Sequence, residues 1–282
     1  MNAAFQWYPA PGKLNLFLHV LGRRADGYHL LQTVYRLIDR ADRLGVRMRA
    51  DGRIVRARDI PGVAEADDLC LRAARKLKER TGSAKGAELA LEKILPIGGG
   101  LGGGSSDAAT ALIVLNRLWD LDLGHDELLA LALELGADVP VFVFGTNALG
   151  EGIGERLTAL SLPPAWYLVL TPQVSVSTTE IFSHRALTRD SKALKIPPFL
   201  SWQGRNDLEA VACGLYPAVA EHLAWLRRHG EARMTGSGAC VFAEFTSESA
   251  ARAVYRSLPP EMKGFVARGL ERHPLADWVP AR

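Results

Sequence analysis

Residues 95–112 read LPIGGGLGGGSSDAATAL, and six of the seven residues from Gly98 to Gly104 are glycine. Ordering such a run costs more conformational entropy than ordering other residues. It makes sense where the main chain must approach a partner more closely than a Cβ allows. The run lies between a predicted strand and a helix that opens at Ser105, Ser106 and Asp107. A helix N-terminus offers unpaired N–H groups and the positive end of the helix dipole. Bare backbone beside it forms an anion cradle, and phosphate is its usual guest. A flexible linker would carry polar spacers, not an embedded Leu101 and a helix start. The P-loop pattern is absent, because no lysine follows the glycines. Gly98, Gly100 and Gly103 satisfy GxGxxG, as any glycine run does. A second predicted helix then follows where a dinucleotide fold needs a parallel strand.

Asp138, in LGADVP, has two readings. Its carboxylate can accept a proton from a hydroxyl, or it can cap the next helical turn, with Pro140 two residues on. Lys13 likewise reads as a solvated lysine at a strand start or as a cation held beside a carboxylate. The TGSG segment at 235–238 reads as an ordinary hairpin turn. Tyr28 and His29 follow a turn, where packing explains an aromatic less easily. Phe182, in TTEIFSH, also fits a core anchor.

The elements that must position these residues follow from periodicity. KLNLFLHV (13–20) alternates, with Leu14, Leu16, Leu18 and Val20 on one face and Lys13, Asn15, Phe17 and His19 on the other. Residues 30–38 read as a second strand, and 45–57 as a hairpin about Asp51–Gly52. Helices are predicted over 67–82, 105–119 and 126–135, with a strand over 87–95 between the first two. The pattern changes near residues 150–160. After it come a buried strand (166–171), helical sequence over 207–230, two strands across 232–245, a helix (247–258) and a strand (264–269). That order is the split βαβ pattern. Residues 191–204 read as a loop.

The chain has 282 residues, 48% hydrophobic and 23% charged, with a formal net charge of +3. These are values of an ordinary globular protein of one or two domains. The near-balanced charge argues against a nucleic-acid partner. No aromatic residues interleave with Arg47, Arg49, Arg53, Arg56 and Arg58. Cys70, Cys213 and Cys240 are odd in number and widely spaced, which fits a reducing compartment without disulfides or structural zinc. No apolar run approaches a membrane span, and the N-terminus lacks signal-peptide character. The expectation is a cytoplasmic protein with neither membrane nor nucleic-acid partner.

Six segments together resemble the GHMP kinases: PAPGKLNLFLHV (9–20), ADGYHLLQTV (25–34), LPIGGGLGGGSSDAATAL (95–112), GADVPVF (136–142), ND (206–207) and RMTGSGACVFAEF (233–245). The resemblance is strongest to those members whose acceptor is a cytidylated methylerythritol. It implies a two-domain α+β fold with the active site in the cleft between the domains. Residues 1–155 would form an ATP-binding α/β domain of the kind also found in a ribosomal protein. Residues 156–282 would form a ferredoxin-like split βαβ domain. It implies transfer from ATP to the 2-hydroxyl of 4-diphosphocytidyl-2-C-methyl-D-erythritol, in the non-mevalonate isoprenoid route. Homoserine, mevalonate or a sugar are the alternative acceptors.

The resemblance also implies roles for residues. Asp138 becomes the base or orienter and Lys13 the charge stabiliser. Pro96, Ile97, Gly98, Gly99, Gly100, Leu101, Gly102, Gly103, Gly104, Ser105 and Ser106 would hold ATP, with Lys93 and Asp68 near adenine. Asp68 departs from the family, which has asparagine there, and an ionised aspartate cannot donate. Tyr28 and Phe182 would stack on cytosine, worth about 1–3 kcal/mol per base in single-strand binders, and His29 would read its edge. Asn15, Thr178 and Thr179 would hold the tail of the acceptor, and Gly236, Ser237 and Gly238 would form a second backbone lip. Mg²⁺ is implied by the triphosphate chemistry. Its ligands stay open, because the wider superfamily has serines where this chain has Gly103 and Gly104. The partners implied are small molecules only, with the oligomeric state open between a monomer and a weak homodimer.

Overall fold

The computed structural model describes residues 4–195 and 204–280, so most of the expected 191–204 loop lies outside the described residues. The chain opens with a long antiparallel pair, β1 (Gln6–Arg23) and β2 (His29–Arg49), joined at the ADGYH turn. Gly27 in that turn has φ +92°, which glycine adopts without strain. Alternation along β1 breaks at an irregularity between Asn15 and Leu18. The extra residue turns the rest of the strand toward a different neighbour. Leu14 and Leu16 stay in one core while Leu18 and Val20 enter another. The clean alternation expected for 13–20 is corrected accordingly.

The expected hairpin about Asp51–Gly52 is also corrected. β3 (Ile54–Arg56) runs parallel to β4 (Gly86–Glu92), and β4 pairs with β2. The Arg47 guanidinium donates to Glu88 on β4 at 2.9 Å, and Arg49 pairs with Asp51. The arginine-rich face is thus locally neutralised, as a solvated sheet face would be.

α1 (Leu69–Thr81) is capped by Asp68, which accepts from the N–H groups of Cys70 and Leu71, and it ends at Gly82 with φ +69°. α2 (Gly103–Leu118) follows the glycine run and is almost wholly buried. Its small residues Ala108, Ala109 and Ala111 let it pack closely. α3 (His125–Leu135) and α4 (Val139–Phe144) complete the helical layer. β5 (Ala148–Gly152) pairs with β2 and with β6 (Arg156–Ala159). The expected division at 155/156 therefore falls inside a hairpin of the first sheet. Leu275 and Trp278, near the chain's end, also return to the core of this layer.

The second layer is a four-stranded antiparallel sheet. It contains β7 (Trp166–Leu170), β8 (Ala232–Met234), β9 (Val241–Phe245) and β10 (Gly264–Arg268), in the order β10-β7-β9-β8. α5 (Thr178–Ser183), α6 (Glu209–Leu215), α7 (Pro217–Leu226) and α8 (Glu248–Arg256) connect its strands. This matches the split βαβ expectation. A third core cluster joins the layers: Leu14, Leu16, Phe17 and Leu101 meet Tyr167, Val169, Cys240 and Phe242. Leu101, the lone side chain inside the glycine run, is buried there, a contact worth about 1.5–3 kcal/mol. Among the described residues no helix is long and apolar enough to cross a membrane.

Candidate active site

The glycine run needs its bare backbone for two separate reasons. Gly98, Gly100 and Gly102 have φ of +70°, +74° and +69°, alternating through the left-handed region. A Cβ on Gly100 would also lie 2.1 Å from the Thr235 carbonyl oxygen. The second layer grips the run by its carbonyls. Ala239 N–H donates to Gly98 O at 3.3 Å, Cys240 N–H to Gly99 O at 3.2 Å, and the Thr235 hydroxyl to Gly100 O at 3.3 Å. Pinning carbonyls leaves amides for a guest. Gly102 occupies the N-cap of α2 and offers no side-chain cap to the N–H groups of Gly103, Gly104 and Ser105.

Two cavities meet at this run and share Gly98, Gly100 and Ser105 in their walls. The smaller, about 310 Å³, contains every residue expected to hold ATP except one: Asp68, Lys93 and the stretch from Pro96 to Ser105. Ser106 is the exception. It lines neither cavity, its hydroxyl is buried without a hydrogen-bond partner, and its N–H donates to Gly102 O as the first helical bond. Asp68 spends its carboxylate as the cap of α1. The Lys93 ammonium is held between the Asp42 carboxylate and Asp107, the latter at 2.7 Å. One cation serves two buried acids. Burial, opposed by Lys93 and reinforced by Asp42, pushes Asp107 up to about 7.

The larger cavity, about 760 Å³, lies between the layers. It brings together Lys13, Asn15, Tyr28, His29, Asp138, Thr178, Thr179, Phe182, Gly236, Ser237 and Gly238, the whole expected catalytic and acceptor set. Asp138 stands at the N-cap position of α4, yet its side chain makes no capping hydrogen bond. Its carboxylate instead meets Lys13 Nζ at 3.2 Å and accepts from the Tyr35 hydroxyl at 3.3 Å. Lys13 is 2% exposed and Asp138 38%, so the cation is enclosed while the carboxylate keeps an open side. Lys13 also donates to Asn15 Oδ1 at 2.5 Å, and Asn15 Nδ2 donates to the Thr33 hydroxyl at 2.9 Å. Both ends of the Asn15 amide are therefore engaged, and they orient the lysine. Burial, then the charge and hydrogen bond of Asp138, raise the Tyr35 pKa well above the ordinary phenol value. Tyr35 stays a neutral donor.

At the far end of this cavity, His29 and Phe182 rings stand 5.0 Å apart at 32°, and Tyr28 is 59% exposed. Burial, then Arg189 and Arg23, lower the His29 pKa, so the imidazole is neutral at neutral pH. Thr178 and Ser237 share a hydroxyl hydrogen bond of 2.7 Å. Sequence reasoning alone does not reach Tyr35, Thr235 or Arg189. A hydroxyl-bearing aromatic in an apolar strand is the sole signal for Tyr35. ND (206–207) ties β1 to the TGSG turn. Asn206 Nδ2 donates to Met234 O and Gly236 O, both at 2.8 Å, and Asp207 accepts from Val20 N–H at 2.8 Å.

An anion over the shared glycines would face α2 amides, and a hydroxyl in the larger cavity would reach the open side of Asp138. Residues 68–146 match the family described as GHMP kinases N terminal domain, and residues 185–263 the one described as GHMP kinases C terminal. The 4-diphosphocytidyl-2-C-methyl-D-erythritol kinase of Thiobacillus denitrificans is 61% identical over 275 residues, covering 98% of this chain and 99% of that protein. The protein of the same name from Nitrosospira multiformis is 62% identical, covering 96% of this chain and 93% of that one. A crystal structure of 4-(cytidine 5'-diphospho)-2C-methyl-D-erythritol kinase superposes with a TM-score of 0.80 at 34% identity, covering 94% of this chain and 99% of that one.

Proposed function

The chain belongs to the 4-diphosphocytidyl-2-C-methyl-D-erythritol kinases, a branch of the ATP-dependent GHMP kinases, and we propose that it phosphorylates the 2-hydroxyl of 4-diphosphocytidyl-2-C-methyl-D-erythritol on the non-mevalonate isoprenoid route. The observation that carries this reading is the meeting of two cavities at one glycine run, with the Lys13–Asp138 pair in the wall of the larger. ATP enters the smaller cavity with its base toward Asp68 and Lys93. Its triphosphate lies over Gly98–Ser105, and its last phosphoryl group points into the larger cavity.

In-line transfer through a loose transition state needs positioning and charge stabilisation more than base strength. Asp138 accepts the hydrogen bond of the acceptor hydroxyl and takes its proton as the new P–O bond forms. Lys13 Nζ stands 3.2 Å from its carboxylate and holds it in place, so orientation is its main contribution. Tyr35 fixes the second carboxylate oxygen. Lys13, enclosed and oriented by Asn15, steadies the negative charge on the moving group. Tyr28 and Phe182 receive the cytosine faces and His29 its edge.

Among the described residues no cluster of three acidic, histidine or cysteine side chains forms a metal cage. That fits an ion delivered on substrate phosphates, since Mg²⁺ keeps several waters and takes few protein ligands. The Ser105 hydroxyl and the exposed side of the Asp138 carboxylate are the hard donors that would meet it, and the ion would shield the triphosphate charge.

ATP turnover measured with the cytidylated alcohol, homoserine and mevalonate tests the assignment. Turnover with the cytidylated alcohol is expected. Turnover confined to the simpler alcohols would sink it.

A further inference from the structure

Arg189 lines neither cavity and lies on the segment that follows α5. Its Nη2 donates to the carbonyls of Phe182 and His184, both at 2.9 Å, and Nη1 donates to the Leu187 carbonyl at 3.2 Å. Its Nε–H donates to His29 Nε2 at 3.1 Å. One cation thus ties the β1–β2 turn of the first layer to α5 of the second. Both ends of the His29–Phe182 ring pair hang on it.

The chemistry of this bond is one-sided. A guanidinium never gives up its proton under working conditions, so Nε is always the donor and His29 Nε2 always the acceptor. An imidazole that accepts at Nε2 is neutral and carries its proton on Nδ1. Besides Arg189, Arg23 is the charged group that disfavours a second proton on the ring, after burial itself. His29 lines the larger cavity, and with Nε2 taken, Nδ1–H is the ring donor left for a ligand.

We propose that Arg189 is a positioning residue that sets the choice of base: by locking His29 as its Nδ1–H tautomer, it selects cytosine over uracil. The inference rests on the reading of the acceptor as a cytidylated alcohol. Cytosine N3 is a bare acceptor, and a fixed donor suits it. Uracil N3 carries a hydrogen, so donor would face donor. A free histidine escapes that clash by moving its proton to the other nitrogen. His29 cannot, because Arg189 occupies it.

Two measurements test this. The first is ¹⁵N NMR of histidine-labelled enzyme without substrate, with His29 assigned by its loss in His29→Gln. The expected signature is a protonated Nδ1 and a bare Nε2. The second is kcat/KM for the cytidine- and uridine-diphosphate forms of the acceptor alcohol, in wild type, Arg189→Met and Arg189→Lys. Wild type should prefer the cytidine form by about 10- to 100-fold, the range of one well-placed base contact. Arg189→Met should lose most of that preference with KM for ATP unchanged. Arg189→Lys, which still donates to Nε2, should recover part of it. A proton on Nε2 of wild-type His29 would overturn the proposal. So would an Arg189→Met enzyme weakened equally toward both bases, the outcome of a purely structural role. A wild type inactive on both nucleotide-linked alcohols would instead overturn the acceptor assignment, and base selection with it.

Discussion

Replacing Gly100 with alanine should damage the enzyme through the protein itself, before any ligand binds. The new Cβ would lie 2.1 Å from Thr235 O and 3.0 Å from Gly238 O, on a residue with φ of +74°. The left-handed conformation alone costs a non-glycine residue about 1–2 kcal/mol. The clash adds to this, because the glycine run and the TGSG turn must part by about 1 Å, and a misplacement of that size at a reacting centre lowers turnover about 100-fold. A loss of about 1–3 kcal/mol in a chain of this size lowers Tm by roughly 2–6 °C. Gly104 is the control within the same run. A Cβ there meets nothing nearer than Leu69 Cδ1 at 3.9 Å, and its φ is not in the left-handed region. Gly104→Ala should therefore keep or slightly raise Tm, since the unfolded chain loses freedom worth about 0.4–1 kcal/mol. Its KM for ATP should stay within a few-fold, since the wider superfamily carries a side chain at this position. Thermal unfolding and steady-state kinetics on both variants separate the two effects. Wild-type Tm and kcat in Gly100→Ala would refute the need for bare backbone at the layer contact. A Gly104→Ala enzyme damaged as severely as Gly100→Ala would refute it as well.

Three further outcomes are expected. Asp138→Asn should cut turnover by about 10²- to 10⁴-fold while ATP affinity, read by calorimetry, stays within a few-fold; retained turnover would exclude Asp138 as the proton acceptor. Tyr35→Phe keeps the ring beneath Lys13, at 5.7 Å, and loses only the bond to Asp138, so kcat should fall by about 2- to 10-fold with Tm nearly unchanged. Asp107 titrates near 7 when folded against 3.8 ordinarily. Its folded pKa is raised, so its stabilising share is complete below the unfolded value and is lost as pH rises through about 7. Wild-type Tm should thus fall more steeply than that of Asp107→Asn between pH 5 and pH 8, and parallel curves would contradict the shared-lysine account.

Short-range features were legible from residue order. The glycine run before a helix start, the periodic strands and helices, and the split βαβ order depend on sterics and periodicity between near neighbours. Of the residues to which the resemblance pointed, the two cavities line all but Ser106. Adjacent residues on a helix point different ways, so Ser105 reaches the cavities while Ser106 turns into the core. What tertiary structure decided is what long-range contact decides. β3 runs parallel to β4 because pairing depends on which strands meet, and the bulge in β1 divides its leucines between two cores. Tyr35 reaches Asp138 across 103 residues, Thr235 reaches Gly100 across 135, and Arg189 reaches His29 across 160. No local pattern encodes such pairs. They exist because burying the cluster between the two layers brings the ADGYH turn, the glycine run and the TGSG turn to one cleft, where each polar group takes the partner that packing leaves within reach.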